Sequence, residues 1–207
     1  QNEQSVTLKV NDLETKKTFD QVGGRNQLDK LGISVVGIYR YETDSYECYE
    51  EKDFGKLQNL LIDSSLIIGF NHIYFDMPVL QPYLSIDIKQ LPYFDIMLKV
   101  QEIIGFRIGL DSIASATLGI GKSGSGLDAV RYYNEGRWDE LREYCLMDVK
   151  VTKEVYDYGL KSKKVFYKPK FGHDKKEVTV DWSAFGKKHA AQVIPDIVNE
   201  PAQYKLF

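Results

Sequence analysis

The sequence predicts an α/β fold in which helices flank a mixed β-sheet. Three observations support this prediction. Residues 5–50 contain short apolar segments joined by loops or turns, which is typical of an antiparallel meander. Residues 53–96 alternate helical and strand patterns, as the crossover connections of a mixed sheet require. From residue 97 the patterns are helical as far as residue 160.

The meander has predicted strands at residues 5–14, 32–40 and 45–50. A glycine-containing loop follows the first strand, and a turn at residues 42–44 precedes the third. Short or loop connections between successive strands favour antiparallel pairing, so these strands are expected side by side in one part of the sheet.

The patterns after the meander predict a helix near residues 53–63, a buried strand at 66–70, a short helix after Asp76 and a strand near 92–96. These units supply the parallel part of the sheet. Further helices are predicted near residues 97–104, 110–118, 126–135 and 138–160.

Acidic residues stand at the end of the first predicted strand. Apolar residues alternate at Val6, Leu8 and Val10, and this alternation leads directly into Asp12 and Glu14. Because alternate residues of a strand share a face, both carboxylates are expected on one face of the sheet, at the end of the strand.

Two more acids occupy comparable positions. Asp76 follows the predicted strand 66–70 after a short turn that contains Asn71. Tyr144 and Asp148 are four residues apart in a helical pattern and are therefore neighbours on one face. The chain contains 30 acidic residues, most of which are expected at the solvated surface. These acids instead directly follow or interrupt apolar segments, which a surface location explains poorly.

Carboxylates grouped in this way suit hard divalent cations. Mg²⁺ prefers oxygen ligands, and a few carboxylates usually hold it while water and substrate phosphate oxygens complete its coordination. Two such ions roughly 4 Å apart stabilise the attacking and leaving oxygens of an in-line phosphoryl displacement. The sequence therefore predicts a site for phosphodiester hydrolysis with two Mg²⁺ or Mn²⁺ ions as the cofactor.

Three motifs, in order along the chain, resemble those of the DEDD exonuclease superfamily. They are Asp12-Leu13-Glu14-Thr15, Asn71 with Phe75-Asp76, and Tyr144 with Asp148. The Tyr four residues before the last Asp resembles the DEDDy branch. The segments GFNHIYFDMPVL, GLDSIASATLG and YCLMDVKVT are similar to the proofreading exonuclease domain of family-B DNA polymerases and to stand-alone relatives of that domain. The resemblance covers about residues 6–160, and the three motifs together are specific.

The resemblance implies a ribonuclease-H-like fold and a 3′-to-5′ exonuclease acting on single-stranded DNA or RNA 3′ ends. It also implies roles for the motif residues. Tyr144 is expected to orient the attacking water. The implied metal ligands are Asp12, Glu14, Asp76 and Asp148.

Residues near the motifs are candidates for substrate binding. Thr15 belongs to the first motif. Phe75 is expected to pack under the site, while Asn71 is expected to hydrogen-bond substrate or to hold the loop. Arg25, in the glycine-containing loop at residues 18–29, is a candidate phosphate contact, and a plain surface arginine is an equally open interpretation.

Three further polar residues stand beside the motifs. Asn11 stands where the related family has an apolar residue; it is expected to point away from the carboxylate face and to make the packing there wetter. His72 is expected at the surface or in a loop rather than as a metal ligand. Asp95 lies beside a predicted strand end, and a supporting role at the carboxylate site is one open interpretation of it.

Length and composition bound the class of protein. The 207 residues are 43% apolar and 28% charged, which is enough for one ordinary core and an appendage. No segment has the apolar length of a membrane span, and the N-terminus lacks a signal-peptide core. Cys48 and Cys145 form neither a zinc pattern nor a disulfide framework, so a cytoplasmic location is expected. Because the first residue is not Met, the sequence is expected to be either trimmed or a fragment.

The chain divides by charge into a predicted ribonuclease-H-like exonuclease domain, residues 1–160, and a C-terminal extension, residues 161–207. The extension has ten Lys and Arg against five acids, whereas the preceding part has seventeen against twenty-five. Two strand patterns flanking residues 171–175 predict a β-hairpin. Its lysines are expected either to contact phosphates or to protect a sheet edge from pairing.

Two other functions stay open at this stage. A binding module that holds nucleic-acid ends for a larger complex would explain the same fold with little or no turnover. An endonuclease would use the same carboxylates. The choice between DNA and RNA is also open, because no residue that contacts a 2′-hydroxyl can be identified from the sequence. Protein partners are not predicted.

Overall fold

The computed structural model describes residues 7–120, 124, 126–170 and 174–183. In this part of the chain, strands form a five-stranded sheet and a separate two-stranded hairpin. In chain order, the strands of the large sheet are β1 (Leu8–Thr15), β2 (Ile33–Arg40), β3 (Ser45–Tyr49), β4 (Leu66–Gly69) and β5 (Tyr93–Asp95). The hairpin consists of β6 (Lys164–Tyr167) and β7 (Lys176–Thr179).

In the described residues, three helices lie between strands of the large sheet, and four follow β5 in succession. They are α1 (Phe19–Val22), α2 (Phe54–Ile62), α3 (Asp76–Leu80), α4 (Ile96–Ile104), α5 (Leu110–Leu118), α6 (Gly126–Asn134) and α7 (Trp138–Ser162). Short 3-10 turns also occur, at residues 28–30, 51–53, 81–83 and 88–90. None of the helices in the described ranges is both long and apolar enough to cross a membrane.

The large sheet has the strand order β3-β2-β1-β4-β5. Strands β1, β2 and β3 pair antiparallel, whereas β1, β4 and β5 pair parallel. The predicted mixed α/β sheet with a three-strand meander is therefore confirmed, and so is the C-terminal hairpin. The predicted boundaries agree within about two residues, except that residues 5 and 6 lie outside the described ranges. The four-residue helix α1 was not predicted.

Strand β1 lies at the centre of the sheet and separates two apolar cores. Val10 packs with side chains of α4, α5 and α7 on one face, and Leu13 packs with side chains of α2 and α3 on the other. A strand that is buried on both faces has one register that fits. The end of β1 is therefore held in a fixed place.

Helix α7 lies close against β1 and β2 because of a glycine. A Cβ atom on Gly37 would lie 2.8 Å from Cγ2 of Val149 and 2.9 Å from Sγ of Cys145, so a larger residue would push the helix away. Cys145 is fully buried, and its thiol donates to the backbone oxygen of Asp12 at 3.8 Å. This contact brings the first half of α7 to the end of β1.

The C-terminal hairpin shares its core with the rest of the chain. Val165 and Val178 belong to the same buried cluster as Val10, and so does Trp182, which is 2% exposed. The predicted turn of the hairpin lies partly outside the described residues, at positions 171–173, and the last 24 residues, 184–207, lie outside them as well.

Candidate active site

The end of β1 places two carboxyl groups beside each other in the sheet. Glu14 is 8% exposed, and Asp12 is half-buried. A change of register after Glu14 ends the regular pairing with β2. There Ser34 donates a hydrogen bond to the backbone oxygen of Glu14 at 3.0 Å, which fixes the strand end.

Asp76 joins this pair from the start of α3. It is 3% exposed, and its Oδ1 accepts the backbone N–H of Leu13 at 3.1 Å. The same N–H donates to Oδ1 of Asp12 at 2.8 Å. One donor between two carboxyl groups holds Asp12 and Asp76 close together.

Helix α7 adds Tyr144 and Asp148 to the same region. Burial and then the charges of neighbouring acids, including Asp148, raise the pKa of both Asp12 and Glu14, so Asp148 lies close enough for direct electrostatic interaction. The pKa of Tyr144 is raised mainly by burial and then by Asp148, Glu14 and Asp12. The structure therefore brings together the five residues that the sequence put forward for metal binding and catalysis. Their roles stay predictions.

The cluster is electrostatically unfavourable for negative charge. Burial raises the pKa of Asp12 and Glu14 well above their ordinary values, and the neighbouring carboxylates raise it further. Burial also raises the pKa of Asp76 to about 7. A group of buried acids that repel one another takes up protons unless a cation compensates the charge.

The donor set fits hard divalent cations, since all the clustered groups are carboxylates and phenol oxygens. In the described residues, however, no three His, Cys, Asp or Glu side chains are arranged around a common point as a finished metal site would have them. Asp12 and Asp76 instead turn an oxygen toward the N–H of Leu13. The fit to a cation therefore rests on the chemistry of the carboxyl groups and on their proximity. A rotation of their side chains would have to bring the oxygens around a common point.

A cleft of about 270 Å³ opens beside Glu14. One wall is apolar, and part of the rim is polar. The wall includes Leu13, Phe19, Leu31, Phe75, Leu127 and Val130, and the rim includes Glu14, Thr15, Lys17 and Thr18.

The predicted substrate residues lie at different distances from this cleft. Thr15 and Phe75 line it. The ring of Phe75 meets the edge of Phe19 at 5.9 Å, and the guanidinium of Arg25 covers the ring of Phe19 at 4.8 Å. The side chain of Phe19 thus lies between Arg25 and the cleft. The side chain of Asn71 accepts a hydrogen bond from Arg107, and it is not among the described residues that line the cleft.

One expectation about the neighbouring polar residues is wrong, and another holds in part. His72 lies in a loop, between β4 and α3, but it is 0% exposed rather than at the surface, and its Nδ1 lies 2.7 Å from Oδ1 of Asn11. Asn11 is 3% exposed, so the packing there is not wetter. Burial lowers the pKa of His72 to about 4, and the ring is neutral at physiological pH. Asn11 interrupts an apolar strand, and this was a sequence signal for the pair, because a buried Asn needs a hydrogen-bond partner.

Further residues near the carboxyl cluster were missed. Gly124 has a φ of 149°, and a Cβ atom there would lie 3.0 Å from Cε2 of Tyr144 and 3.2 Å from Oδ2 of Asp128. The charge of Asp128 also contributes to the raised pKa of Tyr144. The glycine-rich composition of residues 119–126 was visible in the sequence, but its contact with Tyr144 was not.

Comparisons with known proteins agree with this architecture. The family model of the RNase_H superfamily matches residues 23–159. This chain belongs to the RNase_H superfamily. The matched range of this RNase_H superfamily member includes Asp76, Tyr144 and Asp148, and it begins after Asp12 and Glu14.

Among solved structures, the family B DNA polymerase from the hyperthermophilic archaeon Pyrobaculum calidifontis is similar to this RNase_H superfamily chain. The similarity covers 75% of this chain and 24% of the polymerase chain, with a TM-score of 0.57 and 17% sequence identity. The chain thus corresponds to about a quarter of that polymerase, and at this identity the similarity shows the fold alone. The comparison with curated protein sequences gave no match. The fold is of the nuclease type, and nucleases with this fold generally use divalent metal ions.

Proposed function

We propose that this chain is a metal-dependent 3′-to-5′ exonuclease that hydrolyses phosphodiester bonds at single-stranded or frayed nucleic-acid ends. The observation that supports this most is the convergence of Asp12, Glu14, Asp76 and Asp148 beside a cleft, with the pKa of the first three raised. The direction of hydrolysis comes from the resemblance of the three motifs to DEDDy exonucleases.

The four carboxylates are the proposed ligands of two Mg²⁺ or Mn²⁺ ions. When bound, such ions lower the pKa of a water molecule and stabilise the attacking and leaving oxygens of the phosphoryl group. Tyr144 remains protonated, because burial and the neighbouring acids raise the pKa of its hydroxyl. A neutral phenol can donate one hydrogen bond and accept another, so Tyr144 orients the attacking water and is not a general base.

The cleft beside Glu14 is the proposed place of the terminal nucleotide. Its volume of about 270 Å³ is near the lower end of ligand pockets, which begin at roughly 300 Å³. That size suits one nucleotide unit rather than a base pair. Phe75 and Leu13 offer apolar surface to a base, and Thr15 and Lys17 offer polar contacts to sugar or phosphate.

Two of the predicted substrate residues act from further away in this proposal. Arg25 contacts the phosphate of an upstream nucleotide across the ring of Phe19. Asn71 holds the loop before α3 instead of binding substrate, because its side chain is engaged by Arg107. The net charge of −3 disfavours a surface that coats duplex nucleic acid, so a single-stranded DNA or RNA end in the cleft is the proposed substrate. The free thiols of Cys48 and Cys145 suit the cytoplasm.

A second candidate is a module that binds nucleic-acid ends with little turnover. It is favoured by one observation, namely that no three candidate ligands in the described residues surround a common point. Binding would then use the cleft without hydrolysis, and the carboxyl cluster would have no catalytic consequence.

The test is incubation of single-stranded DNA and RNA, labelled at the 5′ end or at the 3′ end, with Mg²⁺, Mn²⁺ or EDTA. We expect a metal-dependent ladder that shortens from the 3′ end and immediate release of the 3′ label as a mononucleotide. Asp148→Asn should abolish both, and the exposed control Asp29→Asn should change neither. Internal fragments would indicate an endonuclease, whereas binding without shortening would indicate the binding module.

A further inference from the structure

The loop between β4 and α3 ends at Asp76 and is held by buried polar contacts to both neighbouring strands. Asn71, the second residue of this loop, has a φ of +60°, a left-handed conformation that non-glycine residues seldom adopt. The backbone N–H of Met77 donates to the oxygen of His72 at 2.9 Å, which joins the loop to the first turn of α3. The position of the loop therefore sets the position of Asp76.

The first contact comes from Asp95, at the end of β5. Asp95 is 2% exposed, and its Oδ1 accepts the N–H of Asn71 at 2.8 Å while its Oδ2 accepts the N–H of Ile73 at 3.1 Å. Hydrogen bonds to a carboxylate are stronger than those between neutral groups. Oδ1 also accepts the N–H of Leu98 at 3.3 Å and so caps α4.

The second contact comes from Asn11, on β1. It pairs with His72 at 2.7 Å, and a Cβ atom on Gly69 would lie 2.3 Å from Nδ1 of His72, so the glycine makes room for the ring. Asn11 is next to Asp12 in the strand. This pair therefore connects the loop that precedes Asp76 to the strand that contains Asp12.

We propose that Asp95 and the Asn11–His72 pair are positioning residues that hold the carboxyl group of Asp76 against that of Asp12 and thereby set the affinity of the site for divalent cations. None of the three residues would touch the ion. The proposal rests on the proposed function in one respect, which is that the carboxyl cluster binds metal.

The two contacts can be removed with different side effects. In Asp95→Asn, one oxygen remains to accept from Asn71 and Leu98, but the bond from Ile73 is lost, so the cap of α4 survives. The double variant Asn11→Leu/His72→Leu removes both partners of a buried polar pair. It also removes two buried atoms without a partner, Nδ2 of Asn11 and Nε2 of His72. Replacing both partners by apolar groups is often neutral or stabilising.

The experiment measures Mn²⁺ binding to the full chain by calorimetry, together with unfolding in EDTA. Loss of a residue that orients a metal ligand typically weakens metal affinity about 10- to 100-fold. We expect a loss of that size in both variants, while the double variant unfolds in EDTA at the same denaturant concentration as the wild type or a higher one. The control is Asp87→Asn, because Asp87 also accepts a backbone N–H, from Lys89 at 3.0 Å. It should bind Mn²⁺ as the wild type does.

Two results would overturn the proposal in distinguishable ways. If the wild type binds Mn²⁺ and the double variant binds it within twofold of that affinity, the loop contacts do not position Asp76, and the proposed function stands. If the wild type itself does not bind Mn²⁺, the positioning role and the proposed function both fail. If Asp95→Asn does not fold, the double variant alone decides.

Discussion

The first half of α7 lies beside a cluster of acidic residues, whereas its second half packs in an apolar core. The first half brings Tyr144 and Asp148 to a cluster of buried acids whose pKa values are raised. The second half brings Tyr156 and Gly159 to an apolar core, where the ring of Trp182 stacks on Tyr156 at 5.8 Å with planes 6° apart. In the absence of metal, the negative charge of Asp148 in the first half repels the neighbouring carboxylates. The second half instead makes apolar contacts that stabilise the fold. The residues proposed for activity and those of the apolar core are thus separated along one helix.

The close packing at the second half depends on a glycine. A Cβ atom on Gly159 would lie 2.1 Å from Cζ3 of Trp182, so any other residue there would displace the ring. Trp182 also meets the edge of Phe94 at 5.4 Å, and edge-to-face contacts of this kind are favourable. Removal of the chain after residue 160 would therefore open the core, and truncation is not a clean test of the basic extension.

The largest effect is expected at the acidic end. Asp148→Asn should reduce turnover to background, because it removes one of the proposed metal ligands, while the unfolding free energy in EDTA stays equal or rises as like charges are relieved. Steady-state hydrolysis of labelled single strands and denaturant unfolding measure the two quantities. Activity within a few-fold of the wild type would show that Asp148 is not part of the catalytic site.

Tyr144 tests the same end with a smaller change. Tyr144→Phe removes one hydroxyl and preserves the ring, and misplacement of a reacting group lowers the rate about 100-fold. Metal binding and stability should be unchanged. The turnover number at saturating Mn²⁺ is the measurement; an unchanged rate would make Tyr144 a packing residue only.

The apolar end should behave in the opposite way. Trp182→Ala is expected to lower the unfolding free energy by about 3–5 kcal/mol, because it deletes a large buried side chain and leaves a cavity. Hydrolysis per folded molecule should change less than twofold. Denaturant unfolding and activity at low temperature check this. A strong loss of turnover in the folded variant would show that the two halves of α7 are coupled.

A pH series tests the acidic end through Asp76. The pKa of Asp76 is raised to about 7 by burial, above the value of about 4 expected in the unfolded chain. Buried His72, whose pKa is lowered to about 4, has the opposite effect on stability, so the quantity to compare is the difference in unfolding free energy between the wild type and Asp76→Asn. In EDTA this difference should move against the wild type by about 2 kcal/mol as the pH rises from about 5 to about 7. A difference that stays constant, or that moves in favour of the wild type, would contradict the raised pKa.

The sequence was sufficient for the strands, for the described helices other than α1 and for the acids of the proposed site. Alternation in β1 and the spacing of four between Tyr144 and Asp148 are local patterns, and local patterns survive into the structure. The His72–Asn11 pair could not be predicted, because it joins residues 61 positions apart through the crossing of β1 and the loop after β4.

The hairpin shows the same limit. Its strands were visible as alternating patterns, but its contact with Gly159 was not, since a glycine in a helix gives no sign of which ring will lie above it. The split of the chain by charge at residue 160 also gave no sign that Val178 and Trp182 complete the core of the preceding part.

The most direct test of the central claim is a comparison of unfolding midpoints for the wild type and Asp12→Asn, each in EDTA and in Mn²⁺ at pH 7.5. Crowded buried carboxylates destabilise the metal-free protein, and a bound ion stabilises the folded state by mass action. We therefore expect Asp12→Asn to be the more stable protein in EDTA and the wild type to be the more stable protein in Mn²⁺. A wild type that Mn²⁺ does not stabilise, or that is already the more stable protein in EDTA, would contradict the account.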